Sequence, residues 1–221
     1  MSVLSRARTW QFLRLVALLM SIIPGLGSAA EARQEGKWVA SWASSPTDLV
    51  TTLPRQNSWP FAKLTLRTSL RLSAGGHAVR LVLSNDLGSR PLTLGRVHTA
   101  LMRNGAIDPA TIRAVRFDGK ESVTIAAHAS ASSDPVVIDV PPLSELSVSI
   151  YVPGPENELT AHVIGLDPTY ARAGDHGDAV ELGGSSISSV RHILTRVDVL
   201  SASPGASTVA FVGDSITEGF G

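Results

Sequence analysis

The sequence has 221 residues, 43% of them hydrophobic, with 19 Lys and Arg against 19 Asp and Glu and no cysteine. That is enough apolar material for a sizeable core, and it excludes a disulfide framework and a cysteine-linked lipid anchor. Three of the 19 cations (Arg6, Arg8, Arg14) lie in residues 1–30, which hold no acid, leaving 16 against 19, or net −3. With no clustered basic face, nucleic acid is excluded as a partner.

The arginines at 6, 8 and 14 precede the apolar stretch "LVALLMSII" (residues 15–23), a Pro24-Gly25 break and "GSAAEA". This order is that of a secretory signal peptide over residues 1–30, with cleavage after Ala30 or, nearly as well, Ala32. The apolar stretch is too short for a membrane-spanning helix, which needs about 20 residues. The mature protein is therefore expected to be secreted or periplasmic and not held in a membrane after cleavage.

Residues 33–201 read as an all-β sandwich or jelly-roll-like domain. In "KLTLRTSLRLS" Leu64, Leu66, Thr68, Leu70 and Leu72 share one face, while Thr65, Arg67, Ser69 and Arg71 share the other, which suits a sheet with one wet side. Gly75-Gly76 then turns the chain into "HAVRLVLSN", which places Val79, Leu81 and Leu83 together, so these two strands are expected to form a hairpin. Further strands are expected in "LTLGRVHTALM", "AVRFD", "SVTIAA", "PVVIDV", "ELSVSIYV", "TAHVIGL" and "RHILTRVDVLS", most of them rich in Val, Ile and Thr. Strands at this spacing with turn residues between them indicate a sandwich. Only residues 106–114 and 143–145 have a helical look.

The small, polar stretch "SASPGAS" at 201–207 marks a linker, taken as residues 202–207, and a new unit begins after it over residues 208–221. A short apolar strand, residues 208–212, leads into Gly213-Asp214-Ser215. In open α/β sheets reactive groups gather at the carboxyl ends of strands, where the turn exposes backbone N–H groups. Gly213 permits a tight turn, Asp214 and Thr217 can brace it, and Ser215 is a candidate nucleophile whose own N–H can donate to an oxyanion.

The block "GDSITEG" (residues 213–219) resembles the first signature block of the SGNH (GDSL-type) hydrolases. It is not a GxSxG elbow, because Thr217 stands two residues after Ser215. "WVASWASSPTDL", "LRTSLRLSAGGHAVRLVLSNDLGSRPLTLGRVHTA" and "SDPVVIDVPPLSELSVSIYVPGP" extend the likeness over most of residues 37–221, to the exported subgroup with an added N-terminal β domain. The resemblance implies an α/β/α hydrolase domain beginning at residue 208, with Ser215 as catalytic serine and oxyanion donor, and Gly213, Asp214, Thr217 and Gly219 as its support. It implies no metal and no cofactor, and a small-molecule or carbohydrate ester as substrate. The family's later glycine, asparagine and Asp/His blocks are not in this sequence, so the chain is expected to be the N-terminal part of a longer enzyme, inactive alone.

Other candidates have plainer readings. His77, His98, His128, His162, His176 and His192 are expected at the surface or on strand faces rather than as a base. Asp175-His176-Gly177-Asp178 reads as a solvated loop, with a metal loop as the alternative. Trp38, Trp42 and Trp59 read as core packing, with a sugar-stacking platform as the alternative. Arg80, Ser84 and Asn85 are left between facing a hydrolase domain and hydrogen-bonding at a strand end. Three classes of function stay open: a secreted ester hydrolase, an exported carbohydrate-binding or adhesion module, and an exported structural protein.

Overall fold

The structure, a computed structural model, describes residues 36–47, 61–156, 158–163, 165, 168–183, 185–214 and 216–217. The expected signal peptide, Trp59, Ser215 and Gly219 lie outside the described residues. Strands are numbered in chain order. One sheet runs β1 (Lys37–Ala43), β16 (Leu194–Ser201), β3 (Gly76–Ser84), β10 (Val136–Val140), with β9 (Ser130–Ser132) also paired to β3. The second runs β14 (Ser185–Ser188), β13 (Thr169–Ala173), β2 (Leu64–Arg71), β11 (Glu145–Val152), β5 (Val97–Arg103), β6 (Ala106–Ile107), with β7 (Arg113–Val115) also on β5. Two short ladders join β4 (Leu92–Leu94) to β8 (Val123–Ile125) and β12 (Ala161–His162) to β15 (Arg191–His192). The pairings among these strands are antiparallel.

Both sheets contribute to one buried apolar cluster, Val79, Leu81 and Val197 from the first, Leu70, Leu146 and Val148 from the second. This is a β-sandwich-like core, closed by the inward side chains of two antiparallel sheets. β10 shows the underlying period cleanly: Val136, Ile138 and Val140 are buried, while Val137 between them is 66% exposed.

Two expectations fail in instructive ways. β2 and β3 are not a hairpin: β2 pairs with β11 and β13, β3 with β16, β10 and β9, so the chain crosses from one sheet to the other at Gly75-Gly76. The crossing is tight. A Cβ at Gly75 would stand 2.6 Å from the Val140 carbonyl oxygen, and one at Gly76 would collide with the Leu200 carbonyl. Nor is the second face of β2 wet throughout, since Thr65 and Arg67 are buried. Residues 174–180 fold over them and accept their hydrogen bonds.

The helical look of residues 106–114 resolves into β6, a 3-10 turn at Pro109–Thr111 and the start of β7. Asp108 caps the turn by accepting from the Ala110 N–H. Residues 208–212, expected to be a strand, belong to none: among the described residues no strand pairs with them.

Candidate functional site

After β16 ends at Ser201, the Ala206 N–H donates to the Ser203 carbonyl at 3.1 Å and closes a turn around Pro204-Gly205. The chain then passes the outer edge of β1, where Thr208 Oγ1 donates to the Ala40 carbonyl at 3.1 Å. β1 is the terminal strand of its sheet, so that carbonyl is available for such a contact. Beyond it the apolar run faces water: Phe211 is 83% and Val212 97% exposed.

The run ends in a tight turn. A Cβ at Gly213 would collide with the Thr217 side chain, so only glycine fits there with Thr217 folded back on it. Asp214 Oδ1 accepts from the Ile216 N–H at 3.0 Å, an Asx-type turn that spans position 215. Gly213, Asp214 and Thr217 thus lie in one turn.

Beside this turn lies a cleft of about 370 Å³, lined among others by Ser44, Ser45, Thr47, His162, Asp214 and Thr217. His162 Nδ1 stands 2.9 Å from the Ser45 carbonyl oxygen. A carbonyl only accepts, so Nδ1 carries the proton.

Four of the other histidines have structural places. His128 Nδ1 meets the Asp86 carbonyl at 3.0 Å and His176 Nε2 the Ala173 carbonyl at 3.0 Å. His98 and His192 are buried. Burial lowers both below the ordinary imidazole value, His192 to about 4. The His192 ring lies against Phe61, with centroids 4.8 Å apart.

The loop at residues 175–178 is neither a bare solvated turn nor an arranged metal loop. Asp175 pairs with Arg96 at 2.8 Å, and the His176 N–H donates to Thr65 Oγ1 at 2.9 Å. Among the described residues no group of three or more His, Cys, Asp or Glu side chains is arranged to hold a metal ion.

Arg80 lies 4.2 Å over the Trp38 ring and Arg191 5.5 Å over the Trp42 ring, and Trp42 also packs against the core. Asn85 is buried, with its Nδ2 donating to the carbonyls of Arg90, Ile125 and Ala126 at 2.8, 3.2 and 3.0 Å. Ser84 Oγ accepts from the Asp86 N–H at 3.1 Å. Both residues hold the end of β3 together, a role the sequence left open.

Comparison with known families finds no family model that matches the chain, and comparison with curated proteins finds no match.

Proposed function

We propose that the chain carries the nucleophile block of an exported SGNH-type ester hydrolase, with Ser215 as nucleophile and its backbone N–H as one oxyanion donor. The substrates are carboxylic esters, acyl groups on carbohydrates among them. The observation that supports this reading is the turn: Gly213 without room for a side chain, Thr217 folded onto it, and Asp214 holding the Ile216 N–H. Such a turn holds the backbone of the residues that flank position 215. The open apolar run before it also supports the reading, because Val209, Phe211 and Val212 suit the interior of a sheet and in this chain have no cover.

In the proposed reaction a general base takes the Ser215 hydroxyl proton as Oγ bonds to the ester carbonyl carbon. The resulting oxyanion is held by backbone N–H groups. The C–O bond to the alcohol breaks, the base returns the proton to the leaving oxygen, and water repeats the sequence to release the acid. In the family that the chain resembles, the base and its orienting carboxylate come from later sequence blocks.

Release of p-nitrophenol from its acetate ester tests this. The 221-residue chain is expected to show no serine-dependent turnover. An extended polypeptide that also carries the family's later blocks is expected to turn over and to lose at least about 10³-fold on Ser215→Ala. An extended polypeptide equally active with Ser215→Ala would sink the reading, and serine-dependent turnover by the 221-residue chain would move the base to His162.

A further inference from the structure

The register of the second sheet gathers small side chains on its outer face. Ser69 on β2 stands opposite Ser147 on β11, and Ser147 opposite Ala100 on β5. On one side the loop that Arg67 holds rises over the sheet and reaches Val180 and Gly183. On the other, β5 turns into β6 through Asn104 and Gly105, both at positive φ. Between these two walls lies a recess of about 510 Å³. Its floor is Ser69 and Ser147, Tyr170 and Met102 line its sides, and Glu145 and Glu181 bring carboxylates to it.

We propose that this recess binds a neutral carbohydrate chain. Its volume falls in the range of ligand sites, roughly 300 to 1,000 Å³. Its polar groups are carboxylates and hydroxyls, acceptors and weak donors. The cation lining it, Arg67, is already engaged by Ser149 Oγ at 2.7 Å and the Ala179 carbonyl at 2.7 Å. An anionic ligand therefore meets carboxylates and no unengaged lining cation. A purely apolar ligand would strip water from the carboxylates and return no hydrogen bond, which is costly.

A sugar answers these features: its hydroxyls donate to Glu145 and Glu181 and exchange bonds with the half-buried Ser69, while its C–H face lies on the Tyr170 ring, which is 40% exposed. A cationic amine fits less well, because Glu145 already has Arg71 3.8 Å away and Tyr170 is the single aromatic among the lining residues.

This inference does not rest on the ester-hydrolase reading, since its residues all lie between Arg67 and Gly183. The test is native gel electrophoresis of the 221-residue chain through gels containing soluble galactomannan, mixed-linkage β-glucan, arabinoxylan or, as the anionic arm, polygalacturonate. Retardation is expected in at least one neutral gel and not in polygalacturonate. Tyr170→Ala and Glu181→Gln are each expected to weaken it about fivefold, with unchanged melting temperatures, while Tyr170→Phe keeps most of it. Should Tyr170→Ala not fold, Ser69→Trp, which fills the floor from a half-buried position, is expected to abolish retardation. Free migration in all three neutral gels, preference for polygalacturonate, or retardation indifferent to both the ring and the floor would overturn the proposal.

Discussion

Arg67 Nη2 donates to the Ala179 carbonyl at 2.7 Å, tying β2 to a loop 112 positions further along the chain. The same guanidinium reaches Gly177 O at 3.2 Å and, through Nε, Ser149 Oγ at 2.7 Å, in a site where the side chain is 7% exposed. Burial pushes its pKa below the ordinary arginine value, and Asp178 acts against that shift. Arg67→Leu removes the donors and leaves buried carbonyls unpaired, so a loss of about 3 to 5 kcal/mol is expected in urea unfolding. Arg67→Lys keeps the charge without the planar fork and should recover only part. Wild-type stability in Arg67→Leu would show the loop to be held by other contacts.

The loop is also shaped by Gly177. A Cβ there would stand 2.5 Å from Nδ1 of the buried His98 imidazole, which would have to shift. Gly177→Ala is expected to cost about 1 to 3 kcal/mol. Gly205→Ala is the control: nothing lies within 4 Å of its added methyl, and the substitution should be neutral or stabilise by a few tenths of a kcal/mol. Thermal melts of the two variants side by side measure the difference.

Asn85→Asp is nearly isosteric yet removes the amide donor from three carbonyls, Arg90, Ile125 and Ala126, and places a carboxylate against them. A destabilisation of about 3 kcal/mol or more is expected from unfolding curves at pH 7, easing at low pH as the acid is protonated. An unchanged unfolding midpoint would mean that the end of β3 does not depend on this side chain.

Stability should also fall on acidification before the carboxylates titrate. His192 is held at about 4 against an ordinary 6.5 by burial, so the folded chain keeps the ring neutral while the unfolded chain takes up a proton. The stabilisation is complete above about pH 6.5 and declines as pH falls toward 4. Over that window it amounts to about 3 kcal/mol, with no further slope from this residue below. His98, lowered by burial as well, adds in the same direction. Urea midpoints between pH 7.5 and 4 should trace this decline, and His192→Phe, stacked on Phe61, should flatten it. An equally steep profile in that variant would place the titration elsewhere.

The strands were legible where one face is buried and the other wet, as in β10, because alternation there is the pattern of burial itself. Partners were not legible. Alternation tells which side chains share a face and nothing of which strand lies beside them, so a Gly-Gly turn between two alternating runs reads as a hairpin even where the chain changes sheets. Arg67 was misread for a related reason: its cover is supplied by residues 174–180, whose Gly and Asp content signals only a loop. β9 and β13 were missed because "SAS" and "TYARA" lack a run of β-branched residues. The constraints on Gly213 and Asp214 are local, set by residues no more than four positions away. The recess was not legible, because Ser69, Ser147, Tyr170 and Glu181 become neighbours only through register.

The crossing at Gly75-Gly76 sets the order in which the molecule can assemble. With β2 and β3 in different sheets, neither completes a ladder with its immediate successor, and β1 waits for β16, Lys37 lying opposite Ser201. As the polypeptide leaves the ribosome its first strand has an open edge until nearly the whole domain has been made. Such wide separation between partners slows folding and lengthens the time for which strand edges stand unpaired. Productive folding of this chain should therefore depend on holding early strands apart from one another until the last arrives, which makes it a candidate client for a chaperone that binds extended apolar segments.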